Sequence, residues 1–210
     1  MKKLLCFGDS NTYGFRYYDR GRFDESIRWT GLLTEWLKPY GIEVIESGLN
    51  SRTTVFDYAE KHGKNGNKAL PLILEENSPV DIVIVMLGTN DCKTEFHADS
   101  DMIANGIETI INQVKLADEN TKIILVCPPF IDKCVTERGF SQSFDENSVY
   151  KSIEIKDKFK QCALKNNCVF VNASDFADTK STDGIHLNEK GHYALAKALF
   201  ECIEKNFLRE

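Results

Sequence analysis

Four short polar stretches carry the side chains in this sequence that could do chemistry. Gly8-Asp9-Ser10 follows the apolar run at residues 3–7, and Gly88-Thr89-Asn90-Asp91 follows another at 81–87. Ser47-Gly48-Leu49-Asn50-Ser51 comes after a third, shorter run, and Asp183-Gly184-Ile185-His186 sets a carboxylate and an imidazole three residues apart. A hydroxyl, a base and an acid are therefore all available, provided the fold brings the four turns to one place. Taken singly, each stretch has a plain structural reading, because Gly, Asp, Ser and Asn are the residues of turns and helix caps. Coincidence of place is what gives them chemical meaning.

The elements that must position them read as alternating strands and helices. Residues 3–7, 43–46, 81–87, 122–127 and 168–172 form short runs rich in β-branched residues. The first, third and fourth are apolar on both faces, as central parallel strands covered by helices are. From Asp101, the residues Met102, Ile103, Ile107, Ile110, Ile111 and Val114 recur at the spacing of one helix face, with Glu108, Asn112 and Lys115 opposite. Further helices are expected over 30–37, 68–75, 149–165 and 188–206, the last with Asn188 as N-cap. This alternation predicts an α/β fold, a three-layer α/β/α sandwich around a five-stranded parallel sheet in the order 2-1-3-4-5, the flavodoxin-like arrangement. In such a sheet ligands bind outside the carboxyl ends of the strands, which is where the polar turns fall. Two long connections, 15–27 and 131–148, are candidates for a lid or a contact surface.

Composition narrows the function classes. The 210 residues, 42% of them hydrophobic, suffice for one domain spanning 1–210, and no shift in composition or internal repeat divides them. A net charge of −6 with scattered basic residues argues against a nucleic-acid partner. The opening apolar run is too short for a signal-peptide core and no later stretch approaches a membrane span, so the expectation is a soluble, cytoplasmic protein. Seven cysteines, odd in number and without a CxxC pair, indicate neither a disulfide framework nor a zinc site, and Cys6 and Cys127 sit in apolar runs as small core residues.

The stretches CFGDSN, SGLNSRTT, MLGTND and TDGIHLNEKGH, in this order, resemble the four signature blocks of the SGNH hydrolases, also called GDSL-type esterases and lipases. The resemblance runs from Gly8 to His192, and IRWTGLL, GLNSRTT and MLGTNDCK are similar to the aryl esterase and acyltransferase branch. It implies a serine esterase that forms an acyl-enzyme, with Ser10 as nucleophile, His186 as its base and Asp183 holding the imidazole. It assigns the oxyanion hole to the Ser10 backbone N–H, the Asn90 side chain and a backbone N–H of the second block. That second-block position is usually glycine and here is Ser51; likewise Asn11 stands where the GDSL name expects leucine. Asp9 and Asp91 read as residues that hold their turns.

Substrate would be met by Tyr13, Phe15, Trp29, Phe130 and Ile185, the last lying between the acid and the base. His62, His97 and His192 have no partner at useful spacing, and His192, inside the last helix, is expected to pack or to face solvent. No ligand cluster suggests a metal, and no cofactor is expected. The expected partner is a small-molecule ester, cleaved or passed to an alcohol. A carbohydrate O-acetyl esterase is the alternative within the class, and a non-catalytic flavodoxin-like binding module the alternative outside it. The acyltransferase resemblance also implies a homo-oligomer, with 131–148 as a contact element.

Overall fold

A computed structural model describes residues 1–208. Strands β1 (Lys2–Gly8), β4 (Ile42–Gly48), β5 (Ile82–Met86), β6 (Lys122–Cys127) and β7 (Val169–Asn172) form one parallel sheet in the order β4-β1-β5-β6-β7. Counted along the chain this is the expected 2-1-3-4-5. Two further strands, β2 (Phe15–Arg16) and β3 (Gly21–Arg22), make a small antiparallel hairpin inside the first long connection.

Helices cover both faces, and the alternation along β1 shows how. Leu4 and Cys6 point to one side, into a core with Trp29, Leu33 and Leu37 of α2 (Trp29–Leu37) and Leu195 and Leu199 of α6 (Glu189–Ile203). Leu5 and Phe7 point to the other, against α3 (Gly66–Asn77), α4 (Ser100–Ala117) and α5 (Glu146–Lys165), where Leu70, Ile107, Ile110 and Phe159 lie. A strand buried on both faces has no polar side, which is why the sequence of β1, β5 and β6 runs apolar without a break. Each fully buried Leu or Ile contributes roughly 1.5–3 kcal/mol. A charged side chain at any of these positions would strand an unpaired charge in the core.

Side-chain caps set several helix starts. Asp99 accepts the Met102 N–H at the head of α4, and, as the sequence suggests, Asn188 accepts the Gly191 N–H at the head of α6. Asn65 accepts from Lys68 N–H, so α3 begins at Gly66 and not at 68. Asp145 and Ser148 form a reciprocal capping box that starts α5 at Glu146, three residues before the apolar pattern becomes visible. After Ile203 the last helix widens into a π-turn over Glu204–Leu208. The connection 131–148 is not bare loop: it contains a 3-10 turn at Lys133–Glu137. Cys6 and Cys127 are fully buried, and all seven cysteines are unpaired. Among the described residues, no helix is long and apolar enough to cross a membrane.

Candidate active site

The carboxyl end of β1 delivers Ser10 through a turn that only glycine permits. A Cβ on Gly8 would lie 2.0 Å from the Thr12 hydroxyl and 2.7 Å from the Met86 carbonyl oxygen. Asp9 then caps the single-turn helix α1 (Ser10–Tyr13), accepting the Asn11 N–H at 3.0 Å. Ser10 is held at the first position of that turn, with only 7% of its surface exposed.

The other two groups come from one loop ahead of α6. His186 Nε2 lies 2.9 Å from Ser10 Oγ, and its Nδ1 lies 2.7 Å from Asp183 Oδ2. Asp183 Oδ1 also accepts the backbone N–H groups of Ile185 and His186 at 3.0 and 2.9 Å. The loop closes this tightly because Gly184 sits at φ +89°, in the left-handed region, where a Cβ would strike the Val135 nitrogen at 2.8 Å. Burial works against the Asp183 charge, but the His186 ring and the two N–H donors outweigh it and hold the carboxyl below its usual range. The acid is thus kept ionised against Nδ1, which fixes the imidazole with Nε2 turned to the hydroxyl.

One residue ties the two halves together. The Asn11 side chain donates from Nδ2 to the Ile185 carbonyl at 3.1 Å and accepts the Leu187 N–H at its Oδ1 at 3.0 Å. Its backbone carbonyl accepts the Trp29 indole N–H at 2.9 Å. A leucine at this position could make neither amide bond. In the sequence Asn11 shows only as a departure from the GDSL name, and the clamp has no signature within the sequence block itself.

Opposite the imidazole lie the turns after β4 and β5. Asn90 opens a 3-10 turn, Asn90–Cys92, and its Nδ2 donates to the Arg52 carbonyl at 3.1 Å and to Asp9 Oδ2 at 3.4 Å. Ser51 occupies φ +66°, a conformation that suits glycine and costs other L-residues on the order of 1 kcal/mol. Arg52 fastens this loop to β1, donating from Nη1 to the Gly8 carbonyl at 2.9 Å and to the Ser47 carbonyl, with its guanidinium 4.3 Å above the Phe7 ring. Asp91 accepts both the N–H and the hydroxyl of Thr54, joining the loop to the Asn90 turn. Burial pushes the carboxyls of Asp9 and Asp91 up to about 6, against the bonds each accepts. Asp9 thus bonds the turn it was expected to hold, whereas Asp91 reaches from its own turn to Thr54 in the loop after β4.

A cavity of ≈ 300 Å³ opens at this rim, lined on its reactive side by Ser10, Ser51, Asn90 and His186. Of the residues expected to meet substrate, Phe15 and Ile185 line it, and the Phe15 ring lies 4.5 Å from the His186 ring. Tyr13, Trp29 and Phe130 do not. Tyr13 is covered by the Arg22 guanidinium, 4.7 Å from its ring. Trp29 is fully buried in the α2–α6 core, and Phe130 lines a separate hollow beside Asp132 and Ser174. Nearness in sequence to a polar turn misplaced all three, since the neighbouring backbone turns their side chains elsewhere. Conversely, Phe140 and Phe144 of the 131–148 connection, Arg20 of the first long connection, Asn50 and Lys93 complete the wall. Two phenylalanines in an otherwise polar connection were the available signal. His192 is fully buried, accepting the Trp29 N–H at 3.4 Å, and burial pushes its pKa down to about 3, so it packs as a neutral core group. His62 and His97 are exposed.

Comparison with known proteins places this geometry in a group. Residues 6–194 match the profile of the GDSL-like Lipase/Acylhydrolase family. The chain is similar in structure to Est24, a carbohydrate acetylesterase from Sinorhizobium meliloti, with a TM-score of 0.91 and 32% identity over 99% of this chain and 100% of that one. It is equally similar to an aryl esterase from M. smegmatis, with a TM-score of 0.89 and 33% identity over 98% of this chain and 99% of that one. A curated acetylxylan esterase of Xylanibacter ruminicola is 25% identical over 96% of this chain; the chain spans 43% of that protein's length.

Proposed function

The chain belongs to the GDSL-like lipase/acylhydrolase family, and from that premise we propose that it is a serine esterase cleaving short-chain carboxylic esters through an acyl-enzyme. The observation that carries this reading is the unbroken relay from Asp183 through His186 to Ser10, at 2.7 and 2.9 Å, opening on a cavity that also presents Asn90.

Ser10 Oγ attacks the ester carbonyl carbon while His186 Nε2 takes its proton; Asp183 stabilises the imidazolium that forms without itself being protonated. The carbonyl oxygen becomes an oxyanion, met by the backbone N–H groups of Ser10 and Ser51 and by the Asn90 amide. Asn90 is already aimed by the Arg52 carbonyl, and its longer 3.4 Å contact with Asp9 is the one the oxyanion replaces. His186 then returns the proton to the departing alkoxide. Water, or a second alcohol in the case of acyl transfer, enters by the same route and frees Ser10.

A second reading within the class is removal of O-acetyl groups from carbohydrate. The polar part of the cavity wall, Arg20, Asn50 and Ser51, favours it, as do the similarities to a carbohydrate acetylesterase and an acetylxylan esterase. The apolar part, Phe15, Phe140, Phe144 and Ile185, favours aryl or alkyl esters. Release of p-nitrophenol from acetate, butyrate and octanoate esters tests the class. Turnover by the wild type and a loss of at least ~10³-fold in kcat for Ser10→Ala are expected. Activity unchanged in Ser10→Ala would instead favour a binding module. Wild-type inactivity on these esters with release of acetate from acetylated xylo-oligosaccharides would favour the second reading.

A further inference from the structure

Lys93 is a charged residue with no part in the mechanism above, and its setting is unusual. It follows the Asn90 turn, lines the same cavity as Ser10, and is only 5% exposed. Its Nζ donates to the Tyr58 hydroxyl at 2.9 Å and lies 4.9 Å from the Tyr58 ring and 5.9 Å from the Phe144 ring. Among the described residues no carboxylate comes within 4.0 Å of it. An ammonium has three N–H donors, and the Tyr58 hydroxyl takes one of them.

The surroundings do not neutralise it by contact. Asp9, Asp91 and Glu95 act on it through space, and Lys61 acts against it. Asp9 and Asp91 spend their oxygens on Asn11, Asn90 and Thr54. Desolvation is the largest influence, pushing the Lys93 pKa down to about 8. Among the eleven residues lining the cavity there is no acid, and the other cation, Arg20, stands exposed. A buried ammonium with one hydrogen bond and no carboxylate in contact is costly unless something anionic arrives.

We propose that the cavity selects esters bearing a carboxylate, with Lys93 as the group that binds it and Arg20 adding attraction from the more exposed wall. This rests on the esterase reading, since it names the substrate class of the same site. The carboxylate can belong to the acyl part, as in the half-ester of a dicarboxylic acid, or to the alcohol part, as in an acetylated hydroxy acid; the chemistry at Lys93 is shared. A charge-assisted hydrogen bond from a poorly solvated ammonium gives a preference of about tenfold or more.

Two matched pairs distinguish the sources: mono-p-nitrophenyl adipate against p-nitrophenyl hexanoate, and 4-acetoxybenzoate against its methyl ester. In the wild type, kcat/KM should favour the anionic member of one pair by at least about tenfold, chiefly through KM. That advantage should be lost in Lys93→Met, kept in Lys93→Arg, and fade in the wild type as the pH rises through about 8, where the ammonium discharges. No anionic preference in either pair overturns the proposal, even if Lys93→Met fails to fold. Equal losses for both members of a pair in Lys93→Met overturn it too, assigning Lys93 to holding Tyr58. Titration calorimetry with adipate and with adipamide reads the cation without turnover, so failure of the esterase reading remains separate. Tighter binding of adipate by the wild type, weakened in Lys93→Met, supports the proposal, and indifference between the two overturns it.

Discussion

The two walls of the cavity are built in different ways. The reactive wall, Ser10 with Asp183 and His186, is fixed by short-range devices: a glycine turn, a capping carboxylate, and a four-residue loop closed by its own N–H groups. The opposite wall takes Arg20 from one long connection, Phe140 and Phe144 from another, and Lys93 from beyond the Asn90 turn. Chemistry demands placement to a fraction of an ångström, and local bonds provide it; the wall that meets the rest of the substrate can be assembled from distant chain.

Paired substitutions make that contrast measurable. Asp183→Asn keeps the loop's shape but favours the wrong imidazole tautomer, so kcat should fall by ~10⁴ with KM little changed. Phe140, whose ring lies 5.5 Å from the His186 ring, belongs to the other wall. Phe140→Ala should act mainly on KM and acyl-chain preference, by less than about tenfold on kcat, as a loss of uniform binding does. Steady-state kinetics on acetate and butyrate esters would read both. A collapse of kcat in Phe140→Ala equal to that in Asp183→Asn would break the division between the walls.

Asn11 sharpens it further, because this residue makes the reactive wall one body. Asn11→Ala leaves the Ile185 carbonyl and the Leu187 N–H without their partner inside the protein. Leaving such groups unmet costs about 1–3 kcal/mol each. Stability in a urea titration should therefore drop by a few kcal/mol, and kcat should drop by roughly tenfold as His186 loosens against Ser10. Loss of stability with kcat intact would mean that the loop's own bonds suffice to place the imidazole.

These differences also explain what the sequence could disclose. The five strands and the sheet order were legible because burial on both faces leaves long apolar runs, and parallel connections admit few topologies. The places of Ser10, Asp183, His186 and Asn90 at one rim followed, since each sits directly at a strand end or in one short loop. Helix starts were legible where a cap adjoins the apolar pattern, as at Asn188, and not where the cap precedes it by several residues, as at Asp145. Tyr13, Trp29 and Phe130 were misplaced because adjacency to a turn says nothing of side-chain direction. Phe140 and Phe144 escaped notice because their position depends on how a long connection packs, which no local period encodes, while Lys93 directly follows the Asn90 turn and nothing in the sequence shows that its side chain is buried.

The smallest effect concerns Ser51, which stands where the resemblance to the SGNH hydrolases implies glycine, and it bears on which part of that residue the reaction uses. At φ +66° glycine would relieve strain of about 1–2 kcal/mol. Against this, glycine adds about 0.4–1 kcal/mol of unfolded-state entropy. These contributions oppose each other, so Ser51→Gly should leave the melting temperature within a few degrees of the wild type. The backbone N–H survives the change, and with it the proposed oxyanion contact, so kcat should also hold. What changes is room beside Asn50, and KM for bulky alcohol groups should move by a few-fold while KM for ethyl esters stays. A fall of tenfold or more in kcat, with the fold intact, would transfer the role from the backbone to the side chain and set this oxyanion loop apart from the glycine form it resembles.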